Sequence, residues 1–174
     1  MMKNLTHTLW ITVLCSLMGC ATTIDYMVVG TGTHDGNKVH AGIIEFDHKW
    51  TAMGGSMTCC WAWATGTQSI YDMPPPKSVY VKWYDYDPGI YYEATVPLSE
   101  NFYDIATNLP EYVVTHNKRV EKHPDPHLII GFGETGEVVV WISNAGRDGN
   151  KTGRVLHEVG RAQAKVVEKD TPRS

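Results

Sequence analysis

The sequence predicts a mainly β domain of the α+β class, antiparallel and β-sandwich-like, with one short helix. Three observations lead there. Runs rich in Val, Tyr, Trp and Thr recur along the chain and are split by turn residues such as "DYDPG" and "ETG". One stretch alone, 99 to 110, carries apolar residues at clear helical spacing. No internal linker, low-complexity segment or repeat of about 20 to 50 residues divides the chain.

The first nineteen residues read as a leader, outside the fold. Lys3 supplies a basic start, and the mostly apolar run Leu5 to Met18 is about 14 residues long, short of the ~20 that span a bilayer. The segment Leu17-Met18-Gly19-Cys20 resembles the lipobox of bacterial lipoproteins, although Met18 stands where Ala or Ser is usual. A Leu three residues before the Cys and a small residue beside it suit the dedicated signal peptidase. Cys20 is then the lipidation site, because the diacylglycerol transfer needs a nucleophilic sulfur. An ordinary signal peptide with a chance cysteine, or a buried N-terminal helix, are the blander readings. By the same resemblance, Ala21 in place of Asp implies sorting to the outer membrane, facing the periplasm.

The expected organisation is thus residues 1–19 as signal peptide and 20–174 as a single periplasmic domain anchored through Cys20. Its 155 residues are enough for one sizeable core. Loss of Lys3 takes the formal charge from −4 to −5, a mildly acidic balance without the basic stripe of a nucleic-acid binder. The run Lys118-Arg119 with Lys122 reads as a solvated turn. Ala-Thr-Thr-Ile before the first strand spans only about 15 to 18 Å, so the domain is expected close to its bilayer.

Strands are expected at Tyr26 to Thr33 and Val39 to Phe46, joined by the turn "THDGNK". After the Gly-rich loop "MGGSM", a third is expected at Cys59 to Ala64, with Trp61 and Trp63 on one face. Cys59 and Cys60, adjacent on such a strand, would point to opposite faces. Two small buried side chains is the favoured reading, with an intermolecular disulfide or a strained bridge between neighbours as minor ones.

"SVYVKWYDYDPGIYYEATV" is a β-hairpin. Val79, Val81 and Trp83 share one face of its first arm, with Tyr80, Lys82 and Tyr84 opposite. The second arm sets Tyr92, Ala94 and Val96 against Tyr91, Glu93 and Thr95. Ser99 is the expected N-cap of a short helix in which Phe102, Ile105, Ala106 and Leu109 recur until Pro110. A second hairpin pairs 128 to 132 with 138 to 142 across "ETG". The tail from Val155 to Val166 has some helical spacing, but Gly160 and its Val content favour a last strand.

Chemistry is sparse. His123-Pro-Asp-Pro-His127 has the i,i+4 spacing of two metal ligands, yet its prolines oppose the helix that would align them, and a rigid surface loop is favoured. "GRDGNKTG" lacks phosphate-loop spacing, and no G-x-S-x-G elbow occurs. Asp85/Asp87 and Glu134/Glu137 fall in expected turns. No catalytic residue, metal ligand or cofactor is assigned, and an enzyme is not expected. The aromatics are mostly core, with a subset suited to an interface; Tyr84, Tyr86, Asp87 and Tyr91 around the hairpin turn are the candidate partner-binding residues.

The block from Trp61 to Ile105 resembles a family of uncharacterised Gram-negative lipoproteins. Met73, Pro74, Pro76, Val79, Val81, Trp83, Tyr92, Glu93, Ala94 and Leu98 carry the resemblance, and "GEVVVWIS" extends it. "PPP" at 74 to 76 and a slightly long hairpin turn depart from the pattern. Some members are similar to immunity lipoproteins encoded beside toxic type VI secretion effectors, often lipases. The resemblance therefore implies an anchored protein that binds and blocks a nearby-encoded effector in the periplasm. A structural or assembly lipoprotein of the envelope, without catalytic activity, is the alternative.

Overall fold

The computed structural model describes residues 22–169; the leader and Cys20 lie outside the described residues. Two main sheets and a small one make up the fold, as the sandwich-like prediction requires. The first sheet contains β1 (Ile24–Thr33), β5 (Thr65–Met73), β10 (His127–Phe132), β11 (Glu137–Ser143) and β13 (Leu156–Gln163). Their order is β13-β11-β10-β1-β5. The second contains β2 (Val39–Phe46), β3 (Trp50–Ala52), β4 (Gly55–Met57), β6 (Ser78–Asp85), β7 (Ile90–Pro97) and β14 (Lys165–Val167). Its order is β14-β7-β6-β2-β3, with β4 also paired to β2. The small sheet joins β8 (Tyr112–Val114), β9 (Arg119–Glu121) and β12 (Lys151–Thr152).

Pairing is antiparallel except between β1 and β10, which run parallel from Val28↔His127 to Thr33↔Phe132. The core lies between the two main sheets. Met27, Leu128, Ile130, Phe132, Val138 and Val140 face Ile44, Phe46, Val79, Val81, Trp83 and Val96 across it. The alternation predicted for the β6–β7 hairpin is present: Val79 pairs with Val96, Val81 with Ala94 and Trp83 with Tyr92. The tail is a strand, and it changes sheets. After β13 the chain turns at Ala164, whose N–H donates to the Gly136 carbonyl, and continues as β14 along β7.

Two features of the sequence acquire reasons here. The unbroken apolar runs of β10 and β11 are buried on both faces. One face meets the main core. The other, with Ile129, Val139 and Trp141, is covered by Ala62 together with Trp61 and Ala64. That cover is the segment 59–64, which is a set of turns and not the expected strand. Conversely, β5 went unforeseen because "TGTQSIYDM" is polar and Gly-containing, as suits a strand that buries chiefly Met73 and, among the described residues, pairs with β1 at the edge of its sheet.

The helix α1 (Phe102–Thr107) forms where its spacing places it, burying Phe102 and Ala106. Its N-cap is Asn101, without a side-chain cap bond, and not Ser99. Ser99 acts one step earlier: its Oγ accepts the Asn101 N–H at 3.2 Å and its carbonyl accepts the Phe102 N–H at 3.0 Å.

The hairpin face opposite Val79, Val81 and Trp83 is partly buried as well. Glu93 is 2% exposed, accepts the Tyr80 hydroxyl at 2.8 Å and pairs with Lys165 at 3.0 Å. Lys82, directly across from Glu93, donates to the Lys169 carbonyl at 3.0 Å. Burial alone would raise the Glu93 pKa, but the bonds from Lys165 and Tyr80 and the two lysine charges hold it below the usual range. A carboxylate depressed in the fold contributes stability above its unfolded value near 4.5, and that contribution disappears as pH falls through the folded value. Glu93→Gln is therefore expected to lose about 2 kcal/mol at pH 7 and to show a flatter acid limb in melts between about pH 5 and pH 3. An unchanged acid limb would remove Glu93 from the acid response.

Candidate binding surface

The β6–β7 turn divides two depressions of opposite character. On one side lies a groove of about 420 Å³ lined by Tyr84, Tyr86 and Tyr91, with His40, Ile43 and Lys82 along its walls. Tyr84 and Tyr91 are directly opposed across the hairpin, their ring centroids 4.6 Å apart. Tyr86 meets Tyr84 edge-on at 4.9 Å, and Lys38 places its ammonium 4.6 Å from the Tyr86 ring. The Tyr86 N–H donates to the Lys38 carbonyl at 2.9 Å, so the turn is tied to the start of β2. A register shift between Ala41 and Ile43 bends β2 beside the groove and leaves Ile43 39% exposed. The result is an aromatic surface with amine and imidazole groups around it, mounted on a hairpin whose other face is the domain core.

On the other side lies a pocket of about 380 Å³ lined by Asp35, Asn37, Asp85, Asp87, Pro88 and Glu134. Asp85, the last residue of β6, is 1% exposed. One of its oxygens accepts the Asp87 N–H at 3.3 Å, and the other, Oδ2, is buried. Burial and the neighbouring Asp87 and Glu134 charges push its pKa up, against hydrogen bonds from the Asp87 backbone and the Asn37 amide.

A third depression, of about 570 Å³, is lined by His34, Asp35, Trp61 and Trp63 with Cys59 and Cys60. The two cysteines form a disulfide between neighbours, Cα atoms 3.7 Å apart, which corrects the favoured reading of two free buried side chains. The physical reason is the backbone: the segment is a turn with Cys60 at φ 80° and Ala62 at φ 59°, so the alternation of a strand does not separate the side chains. Trp61 and Trp63 likewise do not share a strand face. Trp61 stacks on His34 at 4.1 Å and meets Trp141 edge-on at 5.1 Å, whereas Trp63 donates its indole N–H to Asp148 at 3.3 Å. Among the described residues, Asp35, Cys59 and Cys60 bring three ligand-type atoms within 4.8 Å of one another, with both sulfurs already bonded together.

No protein-family model, curated protein or solved structure matches this chain.

Of the four residues expected to bind a partner, the fold gathers three. Tyr84, Tyr86 and Tyr91 share the groove, while Asp87 turns to the acidic pocket. Turn composition and strand alternation carried the tyrosines. Asp35 and Glu134 lie 45 or more positions from the hairpin turn, and only the arrangement of the two sheets brings them beside Asp87. His127 begins β10, its Nδ1 3.0 Å from the Asp125 carbonyl oxygen, and burial lowers its pKa.

Asp85 yields a stability prediction of opposite sign to Glu93. A carboxyl whose folded pKa is raised is favourable below its unfolded value near 3.8, and that advantage is lost as pH climbs through the folded value. Asp85→Asn is therefore expected to stabilise the protein at pH 7 by about 1 kcal/mol, an advantage that shrinks below about pH 4. Paired urea titrations at the two pH values measure it; destabilisation at pH 7 would show that the carboxylate is well solvated in place.

Proposed function

We propose that this chain is a membrane-anchored periplasmic lipoprotein that binds and neutralises a secreted toxic effector of the lipase type, encoded nearby. The observation that carries this reading is the groove of Tyr84, Tyr86 and Tyr91 on the rigid β6–β7 hairpin. Tyrosines held by cross-strand packing present large amphipathic rings at low entropic cost, the kind of surface that concentrates binding energy at protein interfaces. The lipobox-like Leu17-Met18-Gly19-Cys20 and the resemblance to immunity lipoproteins support the same reading. Lipid attached at Cys20 would hold the domain next to the bilayer that a phospholipase attacks, since the first strand begins only four residues later, at Ile24. Inhibition then requires occlusion of another protein's cleft and no chemistry from this chain.

The test is protection. The product of the adjacent gene is directed to the periplasm with and without this protein, and survivors are counted. Rescue together with a stoichiometric complex, weakened by Tyr86→Ala, is the expected result. Absence of both rescue and complex would transfer the assignment to an envelope-structural role. Cys20→Ser is expected to abolish lipid labelling and membrane fractionation.

A further inference from the structure

We propose that the Cys59–Cys60 bond is a thiol–disulfide exchange site, opened by a dithiol reductant such as a protein with a Cys-x-x-Cys pair, and that its opening releases the 59–64 cover from the outer face of β10 and β11. The proposal goes beyond the protein-binding reading above and does not depend on it. A disulfide stabilises a fold mainly by closing a loop of the unfolded chain, and the gain grows with the length of that loop. This one joins adjacent residues, so it closes the shortest loop a chain can offer and ties no two elements together. Stapling is a poor account of it. The bond is also accessible: both cysteines are half-buried and line the open depression of about 570 Å³ with His34, Asp35, Trp61 and Trp63, so a thiolate from solvent reaches the sulfurs in the folded domain.

The bond governs the cover, which is held at two ends. At the near end the Thr33 N–H donates to the Cys59 carbonyl at 3.0 Å, and the Cys60 N–H donates to an Asp35 carboxylate oxygen at 3.1 Å. At the far end the Arg154 guanidinium donates to the Ala62 carbonyl and pairs with Asp148, which also accepts the Trp63 indole N–H. Between these ends Cys60 and Ala62 hold φ angles of 80° and 59°, a left-handed backbone that residues other than glycine disfavour. The link to Cys59 restrains Cys60 there; once the sulfurs part, its backbone is free to return to the ordinary region. The Arg154 latch stays, so the near end swings and uncovers Ile129, Val139 and Trp141.

The exchange moves two electrons and two protons. A reductant thiolate attacks one sulfur of the pair, forming a mixed disulfide and expelling the other as a thiolate, which takes a proton. The reductant's second thiol then attacks its own partner sulfur in the mixed disulfide, so the reductant leaves as a disulfide and both protein cysteines end as thiols. A monothiol is a poor substitute, because the expelled sulfur sits on the neighbouring residue and re-attacks the mixed disulfide before a second molecule arrives. Asp35, with a carboxylate oxygen within 4.8 Å of both sulfurs, opposes a lasting thiolate and favours the protonated pair.

The test incubates the purified protein, without denaturant, in graded ratios of reduced to oxidised dithiothreitol and in glutathione at matched thiol concentration. Iodoacetamide trapping with peptide mass spectrometry reads Cys59 and Cys60, and amide hydrogen exchange reads the cover. Dithiothreitol is expected to convert both cysteines together in the folded protein, at least about tenfold faster than glutathione. Exchange in 59–64 is expected to rise about tenfold on reduction while the β6–β7 hairpin does not change. The double variant Cys59→Ser with Cys60→Ser is expected to show the fast exchange without reductant and no further response to it; if it does not fold, the oxidised and reduced forms of the unaltered protein decide. Reduction only at urea concentrations that unfold the domain would mark the bond as an inert staple and overturn the proposal. Reduction that leaves exchange in 59–64 unchanged, or free thiols at both positions in air-oxidised protein, would overturn it equally.

Discussion

Trp83→Ala is expected to cost the domain about 3–5 kcal/mol, a large share of the 5–15 kcal/mol that holds a typical domain folded. Trp83 is 1% exposed and sits where the two main sheets meet. It stacks on Tyr92 of its own sheet at 5.2 Å and contacts Phe132 of the other at 5.0 Å. Neither ring can follow the truncation without leaving its strand, so most of the vacated volume stays open. Urea unfolding monitored by far-UV circular dichroism measures the loss. Trp83→Phe is expected to recover much of it, because it refills part of the space and removes an indole N–H that has no acceptor among the described residues. A loss below about 1 kcal/mol for the alanine variant would mean that the sheets slide together and that the core is less rigid than drawn.

Gly32→Ala is the second large effect, and its cause is backbone proximity. Gly32 lies in β1 under the 59–64 cover, where an added methyl would fall inside contact distance of the Cys60 carbonyl oxygen and 2.8 Å from that of Trp63. Both obstacles are main chain, fixed by the Thr33 N–H bond to Cys59 and the Trp63 N–H bond to Cys60. The cover must therefore lift, taking Trp61 off the outer face of β10 and β11. A loss of about 3 kcal/mol is expected, with faster hydrogen exchange in 59–64. Gly149→Ala is the control, since nothing lies within 4 Å of the position a methyl would take there. Equal effects at the two sites would refute the proximity account.

These two positions show what was legible in the sequence. Trp83 belongs to an alternating run, and alternation is a local property: Val79, Val81 and Trp83 could be assigned to one buried face before any partner strand was known. Val39–Phe46 was equally legible, and the short helix could be read from its own helical spacing, whereas the tail carried mixed signals and its division into β13 and β14 on different sheets could not be read. The role of Gly32 could not be read, because it depends on a segment some 30 positions later crossing the sheet. Cys59 to Ala64 has strand-like composition, yet it forms turns that pack over the outer face of β10 and β11, a contact that no local pattern encodes. In the candidate site the tyrosines were local and legible. The carboxylates around Asp85 come from three separate turns, and their meeting belongs to the tertiary fold.

The parallel pairing of β1 with β10 bears on how the chain reaches this structure. The first described strand lies inside its sheet, and one of its two neighbours is a segment 99 positions further on, Val28 opposite His127. Antiparallel hairpins such as β6–β7 close over a few residues, whereas this contact must close a loop of about a hundred before any of its bonds form. Synthesis up to Pro126 therefore leaves β1 bonded to β5 alone, with its other edge bare. The β1–β10 pairing must wait for the C-terminal third of the chain, so this part of the sheet is expected to form late and comparatively slowly. Until β10 is in place, the open edge of β1 is a surface on which a strand of another chain can pair.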